Sequence, residues 1–239
     1  MRGSRSVKTK SESRLHEELK RRYAKIHDGR VEVTVEGFQV DVLKGNVVVE
    51  VQVGKLGALR RKLQTLTDHG YSVHVVLPIQ AMVTTPVRAK DSKRSHLRTY
   101  RRKASLLDVF RELVYFPDLL SIPGVKLEIL LLHEQRLSHA LRETVWRGGR
   151  PRSRLLEGFN RDTMIVEALA REVIETKWEL LKLLPASLPS FFTNHDLAKA
   201  AKISYSLASR TTYTLTRAGV LRRTGREGRR DVYTAQSPS

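Results

Sequence analysis

Asp41, Glu50 and Gln52 are the residues whose types and spacing first point to chemistry. They lie in GFQVDVLKGNVVVEVQV, residues 37–53, where apolar and polar side chains alternate on both sides of Gly45-Asn46. That dipeptide suits a two-residue hairpin turn. With the turn there, Lys44 pairs with Val47, Leu43 with Val48, Val42 with Val49 and Asp41 with Glu50. Strand side chains alternate faces. Asp41, Glu50 and Gln52 are therefore expected on one face, and Val40, Val42, Val49 and Val51 on the other. Two carboxylates facing each other repel. The pair makes physical sense if a divalent cation lies between them, or if one of them holds a proton. A hard cation such as Mg²⁺ binds through one or two carboxylates together with substrate phosphate oxygens. The plain alternative is a solvent-facing sheet surface carrying Glu32, Glu36, Asp41 and Glu50.

The elements that must position this pair can be read on either side of it. Leu15, Leu19, Tyr23 and Ile26 recur at helical spacing and predict a helix over 11–26, ended by Asp28-Gly29. Residues 31–36 alternate as a first strand. After the hairpin, Leu56, Leu59, Leu63 and Leu66 predict a helix over 55–69, with Gly70 just past its end. Residues 71–79 and 126–132 are almost continuously apolar, as strands buried on both faces are. Residues 106–115 read as a helix. The run 88–103 holds eight Lys or Arg against one Asp and reads as a solvated loop that also suits phosphate contact. Residues 147–154 read as a basic Gly/Pro linker, and 162–184 as a long helix with Ile165, Leu169, Val173 and Leu180 among its core positions. Beyond Phe191, Thr193 or Asn194 suits the cap of a short helix, Ser204 the cap of a second, and Gly219 its end. Two short strands then surround residues 225–228.

Composition narrows the partners. The chain has 239 residues, no cysteine, and 44 Lys plus Arg against 25 Asp plus Glu, a formal charge of +19. Thiolate metal sites and disulfides are excluded, which fits a reducing cytoplasm. No apolar run is long enough for a membrane span. The excess of basic charge points to a polyanion, most simply nucleic acid. No phosphate-loop, zinc-helix or nucleophile-elbow motif is present.

The order helix, three-strand meander, helix, strand over about residues 11–80 resembles the core of the PD-(D/E)XK nuclease superfamily. The resemblance implies that Asp41 and Glu50, with the Val51 carbonyl, hold Mg²⁺ or Mn²⁺. It places Gln52 where a Lys commonly stands, as a residue that orients the attacking water. It also implies an acid on the first helix, with Glu12 the expected one and Glu17 and Glu18 the alternatives. Gln52 brings no positive charge, so Lys55, Arg61 or Lys62 would have to supply it. His16, one turn from Glu12, is placed to contact phosphate or water.

Residues 191–234 resemble a winged helix domain. Leu197, Ala198, Ala201, Leu207, Leu215 and Ala218 fit its small core. Ser206, Ser209, Arg210, Tyr213 and Arg217 lie on the opposite face of the second helix, which in such domains enters the DNA major groove. Arg222, Arg223, Arg226, Arg229 and Arg230 surround the wing, where phosphate contacts are expected.

The expected protein is thus α/β: a restriction-endonuclease-like domain at 1–148, a linker and long helix at 149–188, and a winged helix domain at 189–239. The expected function is Mg²⁺-dependent hydrolysis of DNA phosphodiesters in repair, recombination or defence. The rival is a non-catalytic DNA-binding protein or regulator on a degenerate nuclease fold. RNA stands as an alternative polyanion. Cutting both strands would suit a homodimer.

Overall fold

The computed structural model describes residues 14–88, 95–101, 104–137, 142–147, 150–155 and 162–237. It is a mixed α/β protein built on a seven-stranded mixed sheet. The chain opens with helix α1 (Arg14–His27) and three antiparallel strands, β1 (Arg30–Val35), β2 (Phe38–Lys44) and β3 (Val47–Val51). A 3₁₀ turn (Leu56–Leu59) runs into α2 (Arg60–Asp68), and β4 (Ser72–Arg88) returns parallel to β3. The far half of β4 pairs antiparallel with β5 (Ser95–Arg101). A 3₁₀ turn (Leu106–Val109) and α3 (Phe110–Leu113) lead to β6 (Val125–Leu137), parallel to β4. A separate hairpin, β7 (Arg142–Arg147) with β8 (Arg150–Leu155), precedes β9 (Asp162–Ile174), which pairs antiparallel with β6. The sheet order is β1-β2-β3-β4-β6-β9.

Each sheet face buries a different set of side chains. Leu15, Leu19 and Tyr23 of α1 pack on Val42, Val49, Val51, Val76 and Leu130. On the other face, Leu63 and Leu66 of α2 join Leu43, Val48, Val73, Val75, Leu77, Leu127 and Ile129. Alternation along β4 sends Val73, Val75 and Leu77 one way and His74 and Val76 the other, so the strand reads as continuously apolar. Ile26, expected on the α1 stripe, is 64% exposed, because the packed face ends at Tyr23.

The C-terminal unit is β10 (Phe192–Thr193), α4 (Asn194–Ala201), α5 (Tyr205–Arg217), β11 (Leu221–Glu227) and β12 (Arg230–Ala235), with sheet order β10-β12-β11. The Thr193 hydroxyl accepts from the backbone N–H of His195 and Asp196, and Ser204 accepts from that of Leu207, so both caps are as read from the sequence. Phe192, Leu197, Leu207, Leu215 and Tyr233 belong to the same buried cluster as α2, α3 and the sheet. Arg60 joins this corner, donating to both Asp118 oxygens (2.6 and 2.7 Å) and lying over the Phe116 ring.

Four expectations are corrected. Residues 162–184 are not a helix but β9, followed by a 3₁₀ segment (Lys177–Leu183). The Ala-, Glu- and Leu-rich composition favours a helix locally, but the open edge of β6 offers a full ladder of partners, and pairing overrides propensity. The sheet therefore runs past the boundary placed at 148. The linker at 147–154 is largely the β7–β8 hairpin, with Arg147 opposite Arg150. Much of the basic run 88–103 is strand rather than loop, its residues 89–94 and 102–103 lying outside the described set. Finally, Val40 packs with Leu43 and Val48, not with Val42. Glu32 opposite this stretch has φ 53°, and the β1–β2 pairing passes from Val31–Val42 to Val33–Val40 around it. A positive φ in a non-glycine residue interrupts regular alternation there.

Candidate metal centre

The hairpin register is the one read from the sequence: Lys44 with Val47, Leu43 with Val48 and Val42 with Val49. Gly45, at φ 56°, supplies the positive φ that so tight a turn requires. Asp41 lies in the middle of β2 and Glu50 next to the end of β3, one step beyond the Val42–Val49 pair that closes the β2–β3 ladder, so the expected Asp41–Glu50 pair is not part of it. Asp41 is half-buried, and its Oδ2 accepts from the Val51 backbone N–H at 2.8 Å. Glu50 is 6% exposed.

Two basic side chains reach these acids, one from each layer. From α2, Lys62 Nζ donates to Glu50 Oε1 (2.5 Å) and to the Gln39 carbonyl (2.5 Å). From α1, His16 Nε2 lies 2.8 Å from the Val51 carbonyl oxygen and 3.2 Å from Asp41 Oδ2. A carbonyl only accepts, so Nε2 carries the proton here. One turn further along α1, Lys20 is buried and donates to Glu32 at 2.6 Å. Of the three basic residues named for the positive charge that position 52 lacks, Lys62 is the one that reaches Glu50.

Burial and the charge of Asp41 push the Glu50 carboxyl up to about 7, and Lys62 offsets only part of this. Glu50 Oε2 is buried and has no hydrogen-bond partner among the described residues. A group with a raised folded pKa gives stability that is present below its unfolded value and lost as pH rises through the folded one. In EDTA, unfolding stability should therefore fall by about 3 kcal/mol as pH rises from about 4.5 to about 7. Glu50→Gln should flatten that portion of the profile in urea titrations, and an unchanged profile would refute the raised pKa.

The remaining expected residues divide clearly. The Gln52 amide donates to the Gly54 carbonyl. Glu12 lies outside the described residues. Glu17 pairs with Arg21 on the solvent side, and Glu18 accepts from the Ile165 N–H, tying α1 to β9. Both carboxylates thus have partners away from the hairpin. Lys55 and Arg61 are exposed. In the C-terminal unit Ser206, Tyr213 and Arg217 are exposed and Arg210 is half-buried. Arg226, Arg229 and Arg230 are exposed, Arg226 pairing with Asp231 at 3.0 Å.

A divalent ion is what the family resemblance implies, and the donors present suit one. Asp41 Oδ2 and the Val51 carbonyl stand at one edge, and the orphaned Glu50 oxygen is a buried acceptor in need of a positive partner. Among the described residues, no three His, Asp or Glu side chains converge into a ligand set.

A second polar cluster was not anticipated. Glu128 of β6 is 0% exposed and is reached by Arg171 of β9, which donates through both Nε and Nη2, and by His74 of β4, whose Nε2 lies 2.8 Å from Oε2. Tyr23 of α1 packs edge-on to His74. Burial raises the Glu128 carboxyl, but hydrogen bonds from His74, Arg171 and Tyr23 outweigh it and hold it at about 2. The signal was visible: one Glu and one His inside otherwise apolar strands.

Among the described residues, no helix is long and apolar enough to cross a membrane. No solved structure matches the chain. It is 28% identical over 195 residues to an uncharacterized protein of Treponema pallidum (strain Nichols), a match spanning 81% of this chain and 74% of the relative. Residues 13–166, which contain α1, the hairpin, α2 and the central strands, match the family described as domain of unknown function DUF8091, and the chain belongs to that family.

Proposed function

We propose that the protein is a metal-dependent DNA endonuclease with a PD-(D/E)XK-like core and a C-terminal winged helix. The observation that carries this reading is the meeting of Asp41, Glu50 and Lys62 from β2, β3 and α2. The order of α1, β1–β3, α2 and β4, with β4 parallel to β3, supports the core assignment. The order of β10, α4, α5, β11 and β12, with β12 central in its sheet, supports the winged helix.

In this reading Asp41 and the Val51 carbonyl hold the cation, and Glu50 completes its negative surroundings. The ion, Mg²⁺ or Mn²⁺, supplies Lewis acidity and activates the attacking water. Lys62 limits the repulsion between the carboxylates and offers a cation to the phosphate charge that develops in the transition state. Exposed Lys55 and Arg61, with the basic wing, attract the DNA backbone. The test is cleavage of supercoiled plasmid and branched DNA with Mg²⁺ or Mn²⁺ against an EDTA control. Metal-dependent nicking or linearisation is expected, and intact DNA under all conditions would refute the enzyme. Competition by RNA at fixed salt separates the two polyanions.

The second reading is a DNA-binding protein on a degenerate nuclease core. It is favoured by one feature: Lys62 already pairs with Glu50, and His16 already spans Asp41 and the Val51 carbonyl. The same cleavage assay decides against it or for it.

Deleting residues 186–239 would be a poor test of the wing, because Phe192, Leu207 and Leu215 share the central core. Replacing Arg229 and Arg230 with Ala avoids this, since both are exposed. The double variant should weaken binding uniformly across DNA sequences and make the slope of log K against log salt shallower by about 2. An unchanged slope would remove the wing from the interface.

A further inference from the structure

We propose that the paired clefts around Trp178 hold an unpaired nucleotide of a DNA strand, so that the substrate carries a single-stranded segment such as a flap or a fork. The inference rests on the DNA-binding reading above and not on the metal centre. Trp178 lies in the 3₁₀ segment (Lys177–Leu183) that joins β9 to the C-terminal unit, half-buried and packed against the central apolar cluster. One cleft, of about 460 Å³, is lined by Lys177, Trp178, Gly219, Arg222 and Gln236. A second, of about 420 Å³, shares Lys177 and Trp178 and runs past Leu120, Pro123 and Glu175. Small-ligand sites have volumes of about 300–1,000 Å³, so each cleft suits a single nucleotide and neither admits a duplex. The second cleft lies where β6 begins and β9 ends, whereas Glu50 and Val51 close β3, which runs in the same direction as β6. The clefts are therefore at the opposite edge of the sheet from the two acids.

The side chains have the chemistry of nucleotide recognition. An unstacked base packs on an indole whatever its identity, and cations meet its phosphate. Lys177 Nζ stands 5.1 Å from the centre of the Trp178 ring and close to the bare backbone of Gly219. A flexible ammonium thus covers the ring face in the free protein. Its movement onto a phosphate opens that face to a base. Arg223 and Arg226 are engaged by Asp231, but Lys177 and Arg222 have no carboxylate partner among the described residues. Among those residues the first cleft carries these two cations and no acid, whereas the second carries Glu175, so the phosphate belongs in the first. What adjoins the cleft favours a strand over a free nucleotide. Arg222 is the first exposed residue of β11, whose residues through Glu227 are all exposed, and this ribbon leads to Arg229 and Arg230. A backbone leaving the cleft meets basic side chains along that path.

The experiment uses the full-length protein in EDTA, with a thymidine oligomer of about 12 nucleotides as probe. In a Trp146→Phe background Trp178 is the remaining tryptophan, and its fluorescence should be quenched as the oligomer binds. Trp178→Leu should weaken oligomer binding about 10-fold or more, and Arg222→Ala about 5-fold, with blunt-duplex affinity within about 2-fold in both. Arg222 is exposed, so its replacement keeps the question decidable if Trp178→Leu loses its urea transition. Thymidine monophosphate should need a concentration about 100-fold higher than the oligomer for the same quenching. Oligomer binding without quenching, an oligomer affinity unchanged in Arg222→Ala, or equal quenching by the mononucleotide overturns the proposal. Duplex binding without oligomer binding also overturns it and leaves the DNA-binding reading standing. Absence of binding to either DNA overturns both.

Discussion

Asp41→Asn and Glu50→Gln should each reduce metal-dependent DNA cleavage by about 10³-fold while leaving DNA affinity in EDTA within about 2-fold. The expected loss is electrostatic in origin. Asp41 and Glu50 stand on neighbouring strands in a partly buried place, where negative charge is costly unless a cation answers it. Removing either charge removes the reason for a divalent ion to settle there. DNA affinity should survive, because the basic residues assigned to the backbone, such as Arg229 and Arg230, are exposed and separate in sequence from the pair. Lys62→Met should give an intermediate loss, since it leaves the acids but strips the cation from Glu50 Oε1. Equal cleavage by wild type and both acid variants would eliminate this site. Parallel loss of cleavage and binding would instead point to misfolding, which the urea transition would reveal.

Glu128→Gln should destabilise the protein by about 3 kcal/mol at pH 7, with the difference shrinking as pH falls. Glu128 is fully buried and is the acceptor on which Arg171, His74 and Tyr23 converge. Its folded pKa is depressed to about 2, so its stabilisation is present above about 4.5, the ordinary value, and is lost as pH falls toward 2. Denaturant unfolding of both proteins at a series of pH values should show two curves that converge on acidification. Curves that stay parallel would mean that the carboxylate charge is not what matters. This dependence is opposite in sign to that of Glu50, whose charge destabilises the metal-free fold as pH rises. The two buried acids differ because one is surrounded by donors and the other has a single cationic partner and a neighbouring carboxylate. Glu128 also bears on the site at a distance. Tyr23 lies two turns along α1 from His16, and its contact with Glu128 is one of those that hold α1 on the sheet.

Residues governed by local chemistry were legible from the sequence. Gly45-Asn46 could form only a tight turn within an alternating segment, so the pairing of Lys44 with Val47 followed. Thr193 and Ser204 stood where helix N–H groups needed acceptors. The apolar runs at 71–79 and 126–132 had to be strands covered on both faces, and leucines at helical spacing fixed α2. Each of these rests on interactions between residues near in sequence, or on a periodicity that survives whatever packs against it.

The tertiary structure decided what depends on distant neighbours. Residues 162–174 have a helical composition and became a strand because β6 offered an unpaired edge. Gln52 had the expected spacing but its amide meets the Gly54 carbonyl, while Lys62, from the next element, pairs with Glu50. His16 gained its significance only when α1 lay across the end of β3 and brought its ring to the Val51 carbonyl. The sequence by itself determined two acids on one hairpin and a basic chain around them. Which side chains answer those acids was set by the packing of two helices on opposite faces of the sheet, a matter of long-range geometry that no local spacing encodes.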